Sequence, residues 1–172
     1  MLSIGITGQT ALNALQSFFT GDGTYWLSTT SHTGLPLFMD VNGDSTSEGA
    51  LINQWDWRDA ADQLWYVVPT DSGYAEIVNA NSGMCLSVSG NSNVPGTNLI
   101  QWPCEGGYGQ QWLIGNGTYP GGSEAGWTAC IESRLNPGQN VDVQDGDQSE
   151  GGWIDQYTWN GDWTQWRYFT PA

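Results

Sequence analysis

One motif is written three times into this chain, and that repetition restricts the fold more than any other feature. Residues 40–57 read DVNGDSTSEGALINQWDW, residues 87–104 read SVSGNSNVPGTNLIQWPC, and residues 142–159 read DVQDGDQSEGGWIDQYTW. They align without a gap. Each opens on a small polar residue followed by Val41, Val88 or Val143. A glycine follows at one fixed offset (Gly49, Gly96, Gly151) and a branched aliphatic at another (Ile52, Leu99, Ile154). Gln54, Gln101 and Gln156 come next, each directly before an aromatic residue: Trp55, Trp102 or Tyr157. Self-similarity of this kind marks a repeat architecture.

The agreement runs on downstream. Gln63-Leu64-Trp65 and Gln110-Gln111-Trp112 share a Gln-x-Trp signature, and the third copy reads Thr164-Gln165-Trp166, one residue short. The copies are spaced by 47 and then 55 residues, with the extra length in the glycine-rich stretch Gly115–Gly126, read as a surface loop. A period in the forties also suits propeller blades, but propellers need roughly four to eight of them. Three copies fill this chain. The expectation is therefore an all-β unit of pseudo-three-fold symmetry, with about four strands per copy. Its core would take the three valines, the three aliphatics and Trp65, Trp112 and Trp166. Repeats are expected at about residues 23–69, 70–115 and 116–172. Residues 1–22 would form an N-terminal extension, with helical spacing of apolar residues over Thr10–Phe19.

Composition narrows the partners. The 172 residues carry 24 Gly and 11 Trp, and glycine with Asn, Asp and Ser punctuates short apolar runs, as expected of many strands and tight turns. Three basic residues against 18 acidic ones give a net charge of −15. Nucleic acid is disfavoured, because its phosphates need Lys and Arg. An anionic membrane surface is disfavoured for the same reason, and no stretch is long enough to span a bilayer. The N-terminus shows no basic residues before its mild apolar stretch, so no signal peptide is expected.

Other chemistries find little support. Asp40, Asn42 and Asp44 have the start of a calcium loop, but Ser45 stands where glycine is needed, so a turn is expected and no metal. Asp145, Asp147 and Glu150 read as a solvated acidic loop. His32 is the sole histidine, and neither a nucleophile elbow nor zinc-ligand spacing is present. No catalytic residue and no cofactor is expected. Asn116-Gly117-Thr118 forms a glycosylation sequon.

Taken together, the Gln-x-Trp copies and their upstream loops resemble the ricin-type β-trefoil lectins and the related sugar-binding modules of glycosidases. The resemblance covers about residues 23–172. It implies a β-trefoil that binds galactose-type or xylose-type sugars without acting on them. A pyranose offers an apolar C–H face and a hydroxyl rim, so its site needs a flat aromatic and a hydrogen-bonding carboxylate or amide. Carried over from the family, the first copy supplies Asp40, Trp55 and Gln63, with Asp62 where Asn is usual. The second supplies Ser87, Trp102 and Gln110, with Gly109, and lacks the carboxylate. The third supplies Asp142 and Tyr157, with Trp163 and Thr164 as its downstream pair. The expected order of importance is first, third, second. Read without the family, an Asp before Val serves equally well as a turn acceptor, and the glutamines beside the aromatics as backbone partners.

The resemblance also implies a disulfide between Cys85 and Cys104, which would stabilise by about 3 kcal/mol in the chain-entropy model. In the other copies Phe38 with Trp57, and Asn140 with Trp159, occupy the same positions. Cys130 would remain a buried free thiol. Such a bridge implies an oxidising compartment and a secreted protein, while the lack of a leader fits the cytoplasm; both stay open. The partners implied are glycans, and avidity would come from two sites or a homo-oligomer. The alternatives are a xylan- or arabinan-binding module of a larger glycosidase, a trefoil protease inhibitor acting through the Gly115–Gly126 loop, and a structural or assembly protein without sugar binding.

Overall fold

Short runs of alternating apolar and polar residues, ended by Gly, Asn and Asp, fold into twelve strands among the described residues. The computed structural model describes residues 23–29, 35–116 and 127–172. The helix expected over Thr10–Phe19, His32 and most of the Gly115–Gly126 loop lie outside them. The strands are β1 (Thr24–Thr29), β2 (Phe38–Val41), β3 (Ile52–Trp55), β4 (Leu64–Pro69), β5 (Ala75–Asn79), β6 (Cys85–Val88), β7 (Thr97–Trp102), β8 (Trp112–Asn116), β9 (Trp127–Ser133), β10 (Gln139–Val143), β11 (Ile154–Thr158) and β12 (Arg167–Pro171). In β5, for example, Ala75, Ile77 and Asn79 point inward while Glu76 and Val78 are half-buried, the two-residue period of a strand with one face in the core.

Six strands close a barrel. β1 pairs with β12 and β4, β4 with β5, β5 with β8, β8 with β9, and β9 with β12, all antiparallel. Closure removes the sheet edges that would otherwise template aggregation. The other six strands form three hairpins: β2–β3, β6–β7 and β10–β11. These meet one another through β11–β7 pairing and the bridges Leu51–Ile100 and Asn53–Trp153. A six-stranded barrel capped by three hairpins is the β-trefoil that the family resemblance implied.

The repeated residues serve this architecture. Val41, Val88 and Val143 join Ile52, Leu99 and Ile154 in one buried core with Trp65 and Trp112. The indole nitrogens of those two tryptophans donate to Met39 O and Leu86 O, each at 3.1 Å. A buried indole N–H left without such a partner would offset part of the gain from burying the ring.

The third copy departs from this pattern, and the expected deletion does not exist. Gln63 and Gln110 close 3₁₀ turns, and Gln165 closes the equivalent turn over Trp163–Gln165. Arg58 N, Glu105 N and Asn160 N donate to the side-chain oxygens of Gln63, Gln110 and Gln165 in turn, each across five residues. The third copy is thus in full register. The residue two places after its glutamine, where Trp65 and Trp112 stand, is Arg167. Trp166 is buried, at 8% exposure, but it packs against Trp159 rather than in the three-fold position.

The repeated glycines and glutamines lock one repeat onto the next. Gly49 N donates to Gln101 O, Gly96 N to Gln156 O, and Gly151 N to Gln54 O, at 2.8–2.9 Å. All three glycines have φ between 77° and 84°, a region that side chains with a Cβ rarely enter. The glutamine amides return the contact: Gln54 Nε2 donates to Asp147 O and Ser149 O, Gln101 Nε2 to Ser45 O and Ser47 O, and Gln156 Nε2 to Ser92 O. These residues recur because each closes a joint between neighbouring repeats.

Candidate functional site

Each hairpin, with the 3₁₀ turn that follows it, forms one cleft on the rim of the fold. The three clefts share a frame and differ in charge. Asp40, Ser87 and Asp142 occupy one equivalent position, at 2%, 4% and 6% exposure. Directly across the strands from them lie Asn53, Ile100 and Asp155. The aromatics Trp55, Trp102 and Tyr157 stand at the mouths. The ring edge of Trp55 lies near Gly151 and that of Trp102 near Gly49, so each glycine also makes room for a neighbour's aromatic.

In the first cleft the carboxylates already hold a cation. Arg58 Nη2 lies 2.7 Å from Asp40 Oδ2, 2.9 Å from Asp44 Oδ1 and 2.6 Å from Asp62 Oδ2. The hydrogen bond from Arg58 holds the Asp44 carboxyl below its usual range. Burial, with repulsion from Asp40, pushes Asp62 up to about 6 despite the nearby guanidinium. Gln63 is wholly buried: its amide nitrogen donates to Asp40 Oδ2 at 3.0 Å and to Asp56 O at 2.8 Å. It supports Asp40 from beneath. The Asp40–Asn42–Asp44 run is a turn, as expected, and its acids serve Arg58.

The second cleft carries no buried carboxylate. It encloses about 310 Å³ between Ser87, Asn91, Trp102, Glu105 and Gln110. Glu105 stands where the first repeat has Arg58. Gly109 stands where it has Asp62, and a Cβ there would collide with Asn91 Oδ1. Gln110 Nε2 donates to Ser87 Oγ at 2.9 Å and Pro103 O at 2.8 Å, the same support that Gln63 gives Asp40. Cys85 and Cys104 are joined by a disulfide at the edge of this hairpin. In the first repeat Trp57 packs edge-on against Trp26, and in the third Trp159 packs against Trp166. Cys130 is free and half-buried, and burial pushes its thiol pKa up.

The third cleft is the widest of the three in charge and the poorest in partners. It encloses about 390 Å³, lined by Asp142, Asp145, Asp155, Tyr157, Asn160 and Asp162, with Trp163 and Thr164. Its downstream pair is Thr164-Gln165, not the Trp163-Thr164 pair that a deletion would have given. Tyr157 is 44% exposed. Asp142 and Asp155 face each other across β10 and β11, an arrangement of like charges that a sheet tolerates poorly. Burial first, then Asp142 and Asp145, push Asp155 up to about 7. Burial likewise raises Asp142, against a hydrogen bond from Thr164 and the charge of Arg167.

Arg167 lies beneath them, fully buried, with its pKa pulled down to about 10 by burial against the opposing pull of both acids. Its Nη1 donates to Thr164 O at 2.7 Å and Trp166 O at 2.9 Å. Nε and Nη2, and one oxygen each of Asp142 and Asp155, have no hydrogen-bond partner in the structure. Sequence reasoning passed over both arginines, although Arg58 and Arg167 are two of only three basic residues in the chain. Their rarity was the signal that would have found them. Among the described residues, the single trio of potential metal ligands within 4.8 Å of one another is Glu76, Cys85 and Cys104, two of them in the disulfide.

A three-fold barrel with polar, aromatic-walled clefts at its hairpins is the architecture of a β-trefoil binding domain. The profile described as ricin-type beta-trefoil lectin domain-like matches residues 14–102 and 61–157, and the chain belongs to that family. Carbohydrate binding is the function this family supports. The chain is 30% identical to ThreeFoil, a designed three-fold symmetric protein, with a TM-score of 0.76 over 88% of this chain and all of that one. It is 29% identical to an exo-beta-1,3-galactanase from Clostridium thermocellum, with a TM-score of 0.76, covering 89% of this chain but only 31% of that longer one. The lectin of Polyporus squamosus, bound to the epitope Neu5Aca2-6Galb1-4GlcNAc, shares the fold at 19% identity and a TM-score of 0.68, over 89% of this chain and 50% of that one. No curated protein sequence matches the chain. No described helix is long and apolar enough to cross a membrane.

Proposed function

We propose that this domain binds galactose-type or N-acetylgalactosamine-type glycans, chiefly through the third cleft and secondarily through the first. The observation that carries this reading is the pairing of an exposed Tyr157 ring with the buried Asp142 carboxylate in one open cleft. The ring would take the apolar face of a pyranose, while Asp142 and the Asn160 and Thr164 side chains meet its hydroxyls. In the first cleft Trp55 is the platform and Asp40 and Asp62 are the acceptors, but Arg58 competes with a sugar for both carboxylates. That competition places the third cleft ahead of the first. Gln63 positions Asp40 and does not touch the sugar. The second cleft offers Trp102 without a carboxylate and binds least.

The galactanase supports the galactose-type reading at 29% identity. It also favours a second setting, in which this domain is the polymer-binding module of a larger glycosidase and takes a β-1,3-linked galactan. The disulfide fits a protein that works outside the cell.

A glycan array probed with the wild type, followed by titration of Tyr157→Ala, Asp142→Asn and Asp40→Ala, tests the reading. Tyr157→Ala and Asp142→Asn should each lower affinity for a galactoside by tenfold or more, on the order expected for losing a stacked ring or a charge-assisted bond. Asp40→Ala should cost less. A wild type that binds no glycan would sink the proposal.

A further inference from the structure

The first repeat sets a cation over its cleft and the third does not. Arg58 reaches back over Asp40 from the strand-following loop, and its terminal nitrogen sits within 2.9 Å of three carboxylates. Asn160 holds the equivalent place in the third repeat, so no guanidinium covers Asp142 from above. The acids there are more numerous, although only Asp142 is positionally equivalent: Asp145, Asp155 and Asp162 stand in place of Asp44 and Asp62. Arg167 neutralises part of this charge from below and is sealed from the cleft.

Two of these acids are built into the floor rather than scattered on the surface. Asp142 is 6% exposed and Asp155 is 2% exposed, both line the cleft, and each keeps one oxygen without a partner. A buried, unpaired carboxylate is costly unless something compensates it. Arg58 shows what compensates it on this frame: a nitrogen cation seated on the opening Asp of the motif. The third cleft lacks that nitrogen and has the Tyr157 platform and the Asn160 and Thr164 rim beside it.

We propose that the third cleft selects a pyranose carrying a free, protonated amine, a de-N-acetylated hexosamine unit. The proposal rests on the sugar-binding reading given above and names its ligand more closely. The ammonium occupies the place that Arg58 Nη2 takes in the first repeat, close to Asp142 and Asp155, while the ring lies on Tyr157. A small metal ion fits worse, because among the described residues no three carboxylates bring oxygens within 4.8 Å of one another. Facing Asp155 are Asp142 on β10, Asp145 on the following turn and Arg167 on β12, with Asp162 across the cleft. Since burial and the two nearer acids keep Asp155 partly protonated near neutrality, an arriving ammonium drives a proton off it.

The test titrates the full chain with galactosamine, N-acetylgalactosamine, galactose and an N-acetylated lysine amide, using calorimetry and backbone amide NMR. Galactosamine should bind about tenfold more tightly than galactose at about pH 7 and low salt, with shifts centred on residues of the third cleft, and the preference should shrink as salt screens it. Its binding heat should depend on the buffer's ionisation heat, reporting proton release. Asp155→Asn should lower galactosamine affinity by about tenfold and remove its advantage over galactose. Tyr157→Ala should weaken both. Equal affinity for galactose and galactosamine overturns the inference and leaves the lectin reading standing. Lysine amide binding as tightly as galactosamine overturns it in favour of a simple cation site. Shifts confined to the first or second repeat overturn it as well, and a chain that binds no sugar at all overturns both readings.

Discussion

The first and third repeats begin from nearly the same residues and end with opposite electrostatics. Asp40 and Asp142 hold the same place and are both buried, but Gln63 donates to Asp40 while Gln165 donates to Thr158 O instead of to Asp142. In the first repeat Asn53 faces Asp40 across the hairpin, and its amide, nitrogen turned inward, donates to Asp40 Oδ1 at 3.1 Å. In the third, Asp155 faces Asp142 and repels it. The first repeat sets its arginine above the acids, a third exposed to solvent, where it closes the cleft. The third sets its arginine below them, in the slot of a core tryptophan, where it leaves the cleft open. The lesson is that the side of the sheet on which a repeat sets its cation decides whether the cleft remains available to a ligand.

The comparison breaks most visibly at Arg167. Arg167→Ala removes the cation beneath two buried acids and leaves a void, and should cost about 3–5 kcal/mol at pH 8. The loss should shrink toward pH 5, as Asp155 takes up a proton. Trp112→Ala, at the equivalent core position, should cost a similar 3–5 kcal/mol with little pH dependence. Urea unfolding of both variants at the two pH values measures this. Equal pH dependence would show that Arg167 acts only by filling space.

Arg58→Ala tests the other cation. Its guanidinium is partly solvated, so the expected cost is smaller, about 1–3 kcal/mol. Without it Asp40, Asp44 and Asp62 repel one another, and stability should recover below about pH 6, where Asp62 protonates. Thermal melts across pH would read it.

The smallest effect sharpens the comparison by making the third repeat resemble the first. Asp155 has a folded pKa of about 7, raised above its unfolded value. The folded state therefore binds more protons than the unfolded one from about pH 4 to about pH 7, and stability falls as pH rises through that window. Asp155→Asn removes that loss and supplies a donor to Asp142, as Asn53 does to Asp40. We expect a gain on the order of 1–2 kcal/mol at pH 8 and none at pH 4. Denaturation midpoints at the two values decide the sign.

Much of this was legible before the fold was seen. Val41, Ile52 and Gly49 recur with their counterparts because a three-fold core and its joints need the same shapes three times. The paired cysteines and the aromatics at the cleft mouths were readable only through the family resemblance. Trp166 shows the limit: matching tryptophan to tryptophan imposed a deletion, because composition alone makes Arg an unlikely occupant of a core slot. Only the hydrogen bond of Asn160 N to the Gln165 side chain shows the true register. Arg58 was missed for a related reason, since it lies outside the repeated motif and reaches Asp40 only through the return of the chain.

The sequence by itself determined a three-fold all-β fold, for an apolar spacing written three times admits few other ways to bury Val41, Ile52 and their counterparts. The cleft positions named beforehand, Asp40, Asp142 and the aromatics after each glutamine, came through the family resemblance. Only the tertiary structure decided which cleft is free. Whether a carboxylate is paired depends on distances of a few ångströms between residues far apart in the chain, and at such range one guanidinium placed above or below the sheet changes the charge that a ligand meets.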